Sequence, residues 1–304
     1  MYEKNLQKKI ALVAGATRGA GRGIALELGA AGATVYCTGR SIRGKTTGRP
    51  ETIDETARLV TDAGGKGIAI QVDHTKPSQV EELFKRIASE QNGQLDILVN
   101  DIWGGDELTE WGVPFWEHSL EKGLTMIERA INTHIITSHF AAPLLVKRRK
   151  GIIFEITDGK THDYRGTFFY DLVKTTVMRL AFAMAHDLEP FNVAAIAVTP
   201  GFLRSEAMLD NFGVTEKNWR EGIKKDKFFA YSETPHYIGR AIVALASDPD
   251  IMHKTGQTLA TWDLAQVYGF TDIDGTQPHW QRNYEIEIQK SAAHLQGSCP
   301  APQG

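Results

Sequence analysis

Tyr170 and Lys174 stand four residues apart in a stretch of helical pattern, which sets both side chains on one helix face. A cation beside a phenol favours the phenolate, lowers the phenol's pKa and makes tyrosine usable as an acid or base near neutrality. A second group of residues lies near the start. Gly15-Ala16-Thr17-Arg18-Gly19-Ala20-Gly21 follows a short apolar run and leads into an amphipathic stretch through Ile24, Leu26 and Leu28. Glycines in that setting let the backbone turn tightly and approach a pyrophosphate, which then rests on the helix N-terminus. The next apolar run ends at Thr38-Gly39-Arg40. An acidic side chain near this point would hold a ribose 2′-hydroxyl, whereas arginine accommodates a 2′-phosphate. With Gly39 in the acidic place and Arg40 and Arg18 beside it, the expected cofactor is NADP(H) rather than NAD(H).

Elements of regular kind must position these residues. Apolar runs rich in β-branched residues fall at 10–14, 34–38, 67–73, 95–100, 151–157, 193–199 and 257–263. Their near-continuous hydrophobicity suits parallel strands covered on both faces. Amphipathic stretches such as 80–90 and 235–246 alternate with them. The pattern predicts an α/β chain: a single Rossmann-type, doubly wound domain over residues 1–290, with a seven-stranded parallel sheet and helices on both faces. Residues 41–51 and 102–119 read as irregular, and 291–304 as a flexible tail. Tyr170 follows the fifth strand, so its helix should bring it to the carboxyl edge of the sheet, where open α/β sheets bind ligands.

Composition narrows the classes. A net charge of −3 over 304 residues offers no basic footprint for nucleic acid. No apolar run approaches the roughly 20 residues that span a bilayer. Cys37 and Cys299 are the only cysteines, which argues against a disulfide framework and a metal site. Residues 1–14 lack the long apolar region of a signal peptide, so the expected location is cytoplasmic.

Taken together, the motifs resemble the short-chain dehydrogenase/reductase superfamily. The matching pieces are Gly15-x-x-x-Gly19-x-Gly21, Asp73, Asn100, Asn132, Tyr170-x-x-x-Lys174 and Pro200-Gly201, in the family's order over roughly residues 8 to 265. Gly21-Arg22-Gly23-Ile24-Ala25-Leu26, Thr38-Gly39-Arg40 and Pro114-Phe115-Trp116-Glu117 further resemble the branch that contains animal dehydrogenase/reductase family member one and its bacterial relatives. The resemblance implies roles. Tyr170 would exchange the proton, and Lys174 would hold the nicotinamide ribose and tune Tyr170. Asn132 would anchor a water that links Lys174 to solvent. Gly15, Thr17, Arg18, Gly19, Ala20 and Gly21 would line the pyrophosphate. Asp73, with His74 beside it, would meet the adenine, and Asn100, with Asp101, would shape the sheet edge at the cofactor. Pro200, Gly201 and the main chain at Leu203 would contact the carboxamide, with Ser205 in the family's usual Thr place.

Two departures stand out. Where the family has a Ser about a dozen residues before the tyrosine, this chain has Asp158, in Glu155-Ile156-Thr157-Asp158-Gly159. The family's Asn-Asn-Ala-Gly becomes Asn100-Asp101-Ile102-Trp103-Gly104. Asp158 could donate if protonated, Thr157 could supply the hydroxyl instead, or an ionised Asp158 could favour a cationic iminium. All six tryptophans lie beyond Asn100, mostly in connections bordering the expected nicotinamide end, which suits a bulky apolar or aromatic ligand. The leading expectation is an NADP(H)-dependent carbonyl reductase, run in either direction. The alternatives are an imine or iminium reductase and a non-catalytic NADP(H)-binding protein. Besides its small-molecule substrate, the expected partner is a second copy of the chain. A homodimer or homotetramer would pack through helices around 120–148 and 168–187.

Overall fold

Apolar runs buried on two sides pair edge to edge in this chain, and the turns between them decide what reaches the sheet's carboxyl edge. The computed structural model describes residues 5–161 and 163–297. In chain order the first half holds β1 (Ile10–Ala14), α1 (Gly19–Ala30), β2 (Thr34–Gly39), α2 (Ile53–Asp62), β3 (Lys66–Gln71), α3 (Pro77–Glu90) and β4 (Ile97–Asn100). Then come α4 (Leu120–Ile127), a π-helical segment (Glu128–Asn132), α5 (Thr133–Arg148), β5 (Gly151–Ile156), α6 (Phe168–Leu188) and β6 (Val193–Thr199). The chain finishes with α7 (Glu206–Phe212), α8 (Pro235–Ser247), β7 (Thr258–Ala260), α9 (Thr261–Tyr268) and α10 (Trp280–Gly297). Residues 298–304, including Cys299 and the end of the expected tail, lie outside the described residues, while α10 carries 291–297 as helix.

All strands are parallel, in the order β3-β2-β1-β4-β5-β6-β7. Order reverses between β1 and β4, which opens the crevice where such sheets take ligands. Helices cover both faces. Ala11 and Val13 of β1 join Ile24, Leu28, Ile53, Ile238 and Ile242 on one side. Ile10 and Leu12 join Val80, Phe84, Leu145 and Leu188 on the other. This two-sided burial explains why the strands read as unbroken hydrophobic runs.

Four strands are shorter than their runs, the fifth only by Thr157. The last expected strand, 257–263, pairs only at Thr258–Ala260, because the chain turns into α9 at Thr261 and buries Trp262 and Leu264 there. The third stops at Gln71, since Asp73 is drawn into a turn by Thr75. The fourth starts at Ile97, where the Asp96 carboxylate instead accepts the Ile10 N–H. Residues 41–51 and 102–119 are irregular as expected, the latter broken by two short 3-10 turns, Asp106–Leu108 and Phe115–Glu117. Among the described residues no helix is long and apolar enough to cross a membrane, and no cluster of His, Cys, Asp or Glu could hold a metal ion.

Candidate active site

At the β1–α1 turn, backbone is pressed against backbone. Gly15 has φ +93°, and a Cβ there would lie 2.4 Å from the Asp101 carbonyl oxygen. A Cβ on Gly21 would lie 2.3 Å from the Gly15 carbonyl oxygen. Only glycine closes this turn. α1 therefore starts with N–H groups that no helical carbonyl takes, and Arg18, its N-cap, makes no side-chain cap. Anions already favour the spot: the Gly19 N–H donates to Glu206 Oε2 at 2.7 Å, and the Gly21 N–H to the Asp101 carboxylate. Burial pushes the Asp101 carboxyl up to about 7, against the pull of Lys174 and the Gly21 N–H. The glycine cradle and these donors fit a dinucleotide phosphate. Asn100 is buried, donating to Ser138 Oγ and Glu155 Oε1 at 2.9 and 2.7 Å, while its Oδ1 has no partner.

At the end of β2, a side chain in place of Gly39 would have to displace Thr17. A Cβ there would lie 2.5 Å from Thr17 Oγ1. Around it gather Arg40, which is exposed, Arg18, 3.8 Å from Glu51, and Arg49, held by Glu51 and Asp210. Asp73 uses Oδ1 to accept from Thr75; these bonds and Arg40 outweigh burial and hold its carboxyl below the ordinary range. His74 departs from expectation. Its ring is buried between Thr38 and Thr137, each 2.8 Å away. The Thr137 and Thr38 hydroxyls also reach the Thr133 and Val13 carbonyls, and the two ring nitrogens take these two hydroxyls as their partners. Burial first, then His134, drives the ring down to about 3. The side chain is thus a neutral clamp between sheet and α5, with no nitrogen left for a cofactor.

At the catalytic edge β5 delivers Thr157 and Asp158, and α6 delivers Tyr170 and Lys174. Thr157 turns away: its hydroxyl donates to the Lys174 main-chain carbonyl at 2.7 Å. Asp158 faces in, and its Oδ2 accepts the Tyr170 O–H at 2.8 Å. The carboxyl, not the threonine, therefore takes the family's hydroxyl place. The expectation of a lowered Tyr170 pKa is reversed. Burial first, then the Asp158 carboxylate, raises the phenol well above its ordinary value. Lys174 Nζ lies 4.1 Å from the Trp103 ring centre and 5.5 Å from that of Tyr170. Burial lowers the Lys174 pKa, opposed by Asp158, Asp101 and Asp106. Asn132 ends the π-helical segment with its side chain exposed and without a hydrogen bond among the described residues. The inward positions beside it belong to Ile131, Thr133 and His134.

The far end of the crevice forms after β6. Gly201 donates its N–H to Glu233 Oε2 at 2.9 Å and packs against Trp280, while Pro200 accepts from Thr199. Leu203 bridges to Glu233, and Ser205 Oγ caps α7 by accepting the Met208 N–H. The tryptophans divide. Trp103 and Trp111 stand against Tyr170, at 5.5 and 5.4 Å between ring centres. Trp219 and Trp262 are buried supports, and Trp116 is exposed.

Several supporting groups escaped the motif reading. Glu155 is fully buried inside β5, bonded to Asn100 and to His134 Nδ1, whose Nε2 faces the Ile102 carbonyl. This network fastens the loop bearing Trp103 to α5. A glutamate within Ile152-Ile153-Phe154-Glu155-Ile156 is itself a signal, since a charge in an apolar strand needs partners. Arg204, also buried, bonds Glu216 and the Ser232 carbonyl and lies 4.1 Å from the Trp219 ring centre. Buried Glu233 gives no such signal, standing in a mixed polar run.

Comparison with known proteins agrees with this arrangement. Residues 9–214 match the short chain dehydrogenase family model. Dehydrogenase/reductase SDR family member 1 of Mus musculus is 33% identical over 301 residues, covering 97% of this chain and 93% of its own. The 3-oxoacyl-(acyl-carrier-protein) reductase FabG of Escherichia coli is 29% identical, over 84% of this chain and 96% of its own. A short chain dehydrogenase structure from Mycobacterium thermoresistibile superposes with a TM-score of 0.75 at 21% identity, over 91% of this chain and 92% of that one.

Proposed function

Because this chain belongs to the short-chain dehydrogenase family, we propose that it is an NADP(H)-dependent oxidoreductase. It reduces a ketone or aldehyde of a bulky apolar or aromatic small molecule, or oxidises the matching alcohol. The observation that carries this reading is the Tyr170–Asp158 hydrogen bond beside Lys174 at the carboxyl edge. Gly15, Thr17, Arg18, Gly19, Ala20 and Gly21 would hold the pyrophosphate. Arg18 and Arg40 would hold the 2′-phosphate, Asp73 the adenine, Asn100 and Asp101 the crevice wall, and Pro200, Gly201, Leu203 and Ser205 the carboxamide. The bound cofactor supplies or takes up the hydride at the substrate carbon.

Tyr170 handles the proton. In oxidation its oxygen receives the alcohol proton while its own proton passes to Asp158 Oδ2. In reduction the same path runs back from protonated Asp158 through Tyr170 to the carbonyl oxygen. A phenol that only passes protons stays neutral, which suits its raised pKa; a free phenolate base does not. Lys174 offsets the negative charge of Asp158, Asp101 and Asp106. NADP(H) preference is supported by glycine, not an acid, at position 39 and by the cluster of Arg18, Arg40 and Arg49. A bulky aromatic substrate is supported by Trp103 and Trp111 flanking Tyr170. The test is turnover of NADPH and NADH with aromatic ketones, quinones and aldehydes, in wild type and Arg40→Ala. NADPH should be preferred, and Arg40→Ala should weaken it about tenfold, the loss of one charge-assisted contact, while leaving NADH unchanged. Equal losses for both cofactors would overturn the NADP(H) assignment. Tight NADPH binding without turnover of any carbonyl or alcohol would leave a binding protein instead of an enzyme.

A further inference from the structure

The segment that leaves β6 folds back over the phosphate turn. Ser205 Cβ sits 3.6 Å from where a Cβ on Gly19 would stand, and Glu206 opens α7 immediately after it. Glu206 Oε2 takes the Gly19 N–H at 2.7 Å, and its Oε1 lies 3.7 Å from Arg22 Nε. One turn later Asp210 pairs with Arg49 at 2.7 Å, and Arg49 pairs with Glu51 at 3.1 Å. α7 is therefore tied at one end to the phosphate turn and at the other to residues 41–51. It buries none of its own residues and ends at Gly213, which has φ +70°. Its firm packing is at the C-terminal end, where Phe212 stacks on buried Phe229 at 4.2 Å between ring centres, so the N-terminal turn that carries Glu206 is the part held chiefly by polar contacts.

Gly19 is the first residue of α1, and its N–H is among those that a phosphate on this helix would require. One hydrogen cannot serve a carboxylate at full contact and a phosphate together, and the two anions repel. We propose that Glu206 is a latch that competes with the cofactor's pyrophosphate for the Gly19 N–H. Cofactor entry then requires the Glu206 carboxylate to leave, and the N-terminal turn of α7 is the part that moves with it. The latch rests on the reading of this turn as a dinucleotide site.

Two probes separate the latch from that reading. ADP-ribose carries the pyrophosphate, and adenosine 2′-monophosphate lacks it. Binding of each to wild type, Glu206→Gln and Glu206→Ala is measured by calorimetry, with hydrogen exchange at the Gly19 amide read in parallel without ligand. Glu206→Gln should bind ADP-ribose about tenfold more tightly, because a neutral acceptor competes less well than a charged one. Adenosine 2′-monophosphate should stay within about twofold of wild type. The Gly19 amide should exchange faster in Glu206→Ala. ADP-ribose binding that is unchanged or weaker in Glu206→Gln overturns the latch, as does an equal gain for both probes. Failure of every probe and of NADPH on all three proteins would remove the dinucleotide reading, and the latch with it.

Discussion

Asp158 and Tyr170 share one proton position across 2.8 Å, and this pair sets what the site can do. Tyr170→Phe removes the group between Asp158 and the substrate. The proposed relay predicts a loss in kcat of about 10²–10⁴-fold, the usual worth of positioned acid–base catalysis, with cofactor Kd unchanged. Asp158→Asn keeps the size but not the proton capacity, so it should cost a similar factor. In Asp158→Asn the Tyr170 pKa should also fall towards its ordinary value, readable by ultraviolet titration of the phenol. If Asp158→Asn retains full turnover, the carboxyl is not part of the proton path. Motif spacing located these residues, but the sign of the Tyr170 shift depended on burial and on Asp158 facing the phenol, contacts that spacing does not give.

The connections after β5 and β6 act as elements because buried groups hold them. Glu233 joins the Gly201 N–H to the Thr261 hydroxyl, and burial pushes its carboxyl up to about 8. A carboxyl whose folded pKa lies above its unfolded value binds more protons in the folded state between the two. Its contribution to stability is complete below the unfolded value, near 4.5, and is lost as pH rises through about 8. Wild-type Tm should therefore decline from pH 5 to pH 9. Glu233→Gln keeps an acceptor for Gly201 and Thr261 without titrating, so its Tm should decline less over that range. Parallel Tm curves for the two proteins would contradict the assignment of this titration to Glu233.

Across the whole molecule, exposed apolar side chains cluster on the helices beyond the catalytic edge. Leu120 and Leu124 of α4, Ile135 of α5, and Leu172 and Phe182 of α6 all face solvent in the single chain. Apolar residues in such numbers on neighbouring elements mark surfaces suited to association. The expected assembly is a homodimer or homotetramer packed through these helices. Light scattering after gel filtration should report two or four copies for wild type, and Ile135→Glu or Phe182→Glu should shift the mass downward. A monomeric wild type would refute this expectation.

What the sequence determined by itself was the sheet, the glycine turn between β1 and α1 and the Tyr170–Lys174 pair. Each depends on short-range rules: unbroken apolar runs for strands buried on two sides, glycine where backbone meets backbone, and four-residue spacing on one helix face. The same rules could not say which of Thr157 and Asp158 would face Tyr170, because neighbouring residues leaving a strand point in opposite directions and the turn decides. His74 is adjacent to Asp73 in sequence, yet tertiary packing placed its ring between Thr38 and Thr137. A π-helical segment carried Asn132 to the outer side of its helix. Glu206 reaches Gly19 across 187 positions of chain, a contact made by β6 and α1 sharing one edge of the sheet. Contacts of that range exist only once the strands have been ordered, so they belong to the tertiary structure alone.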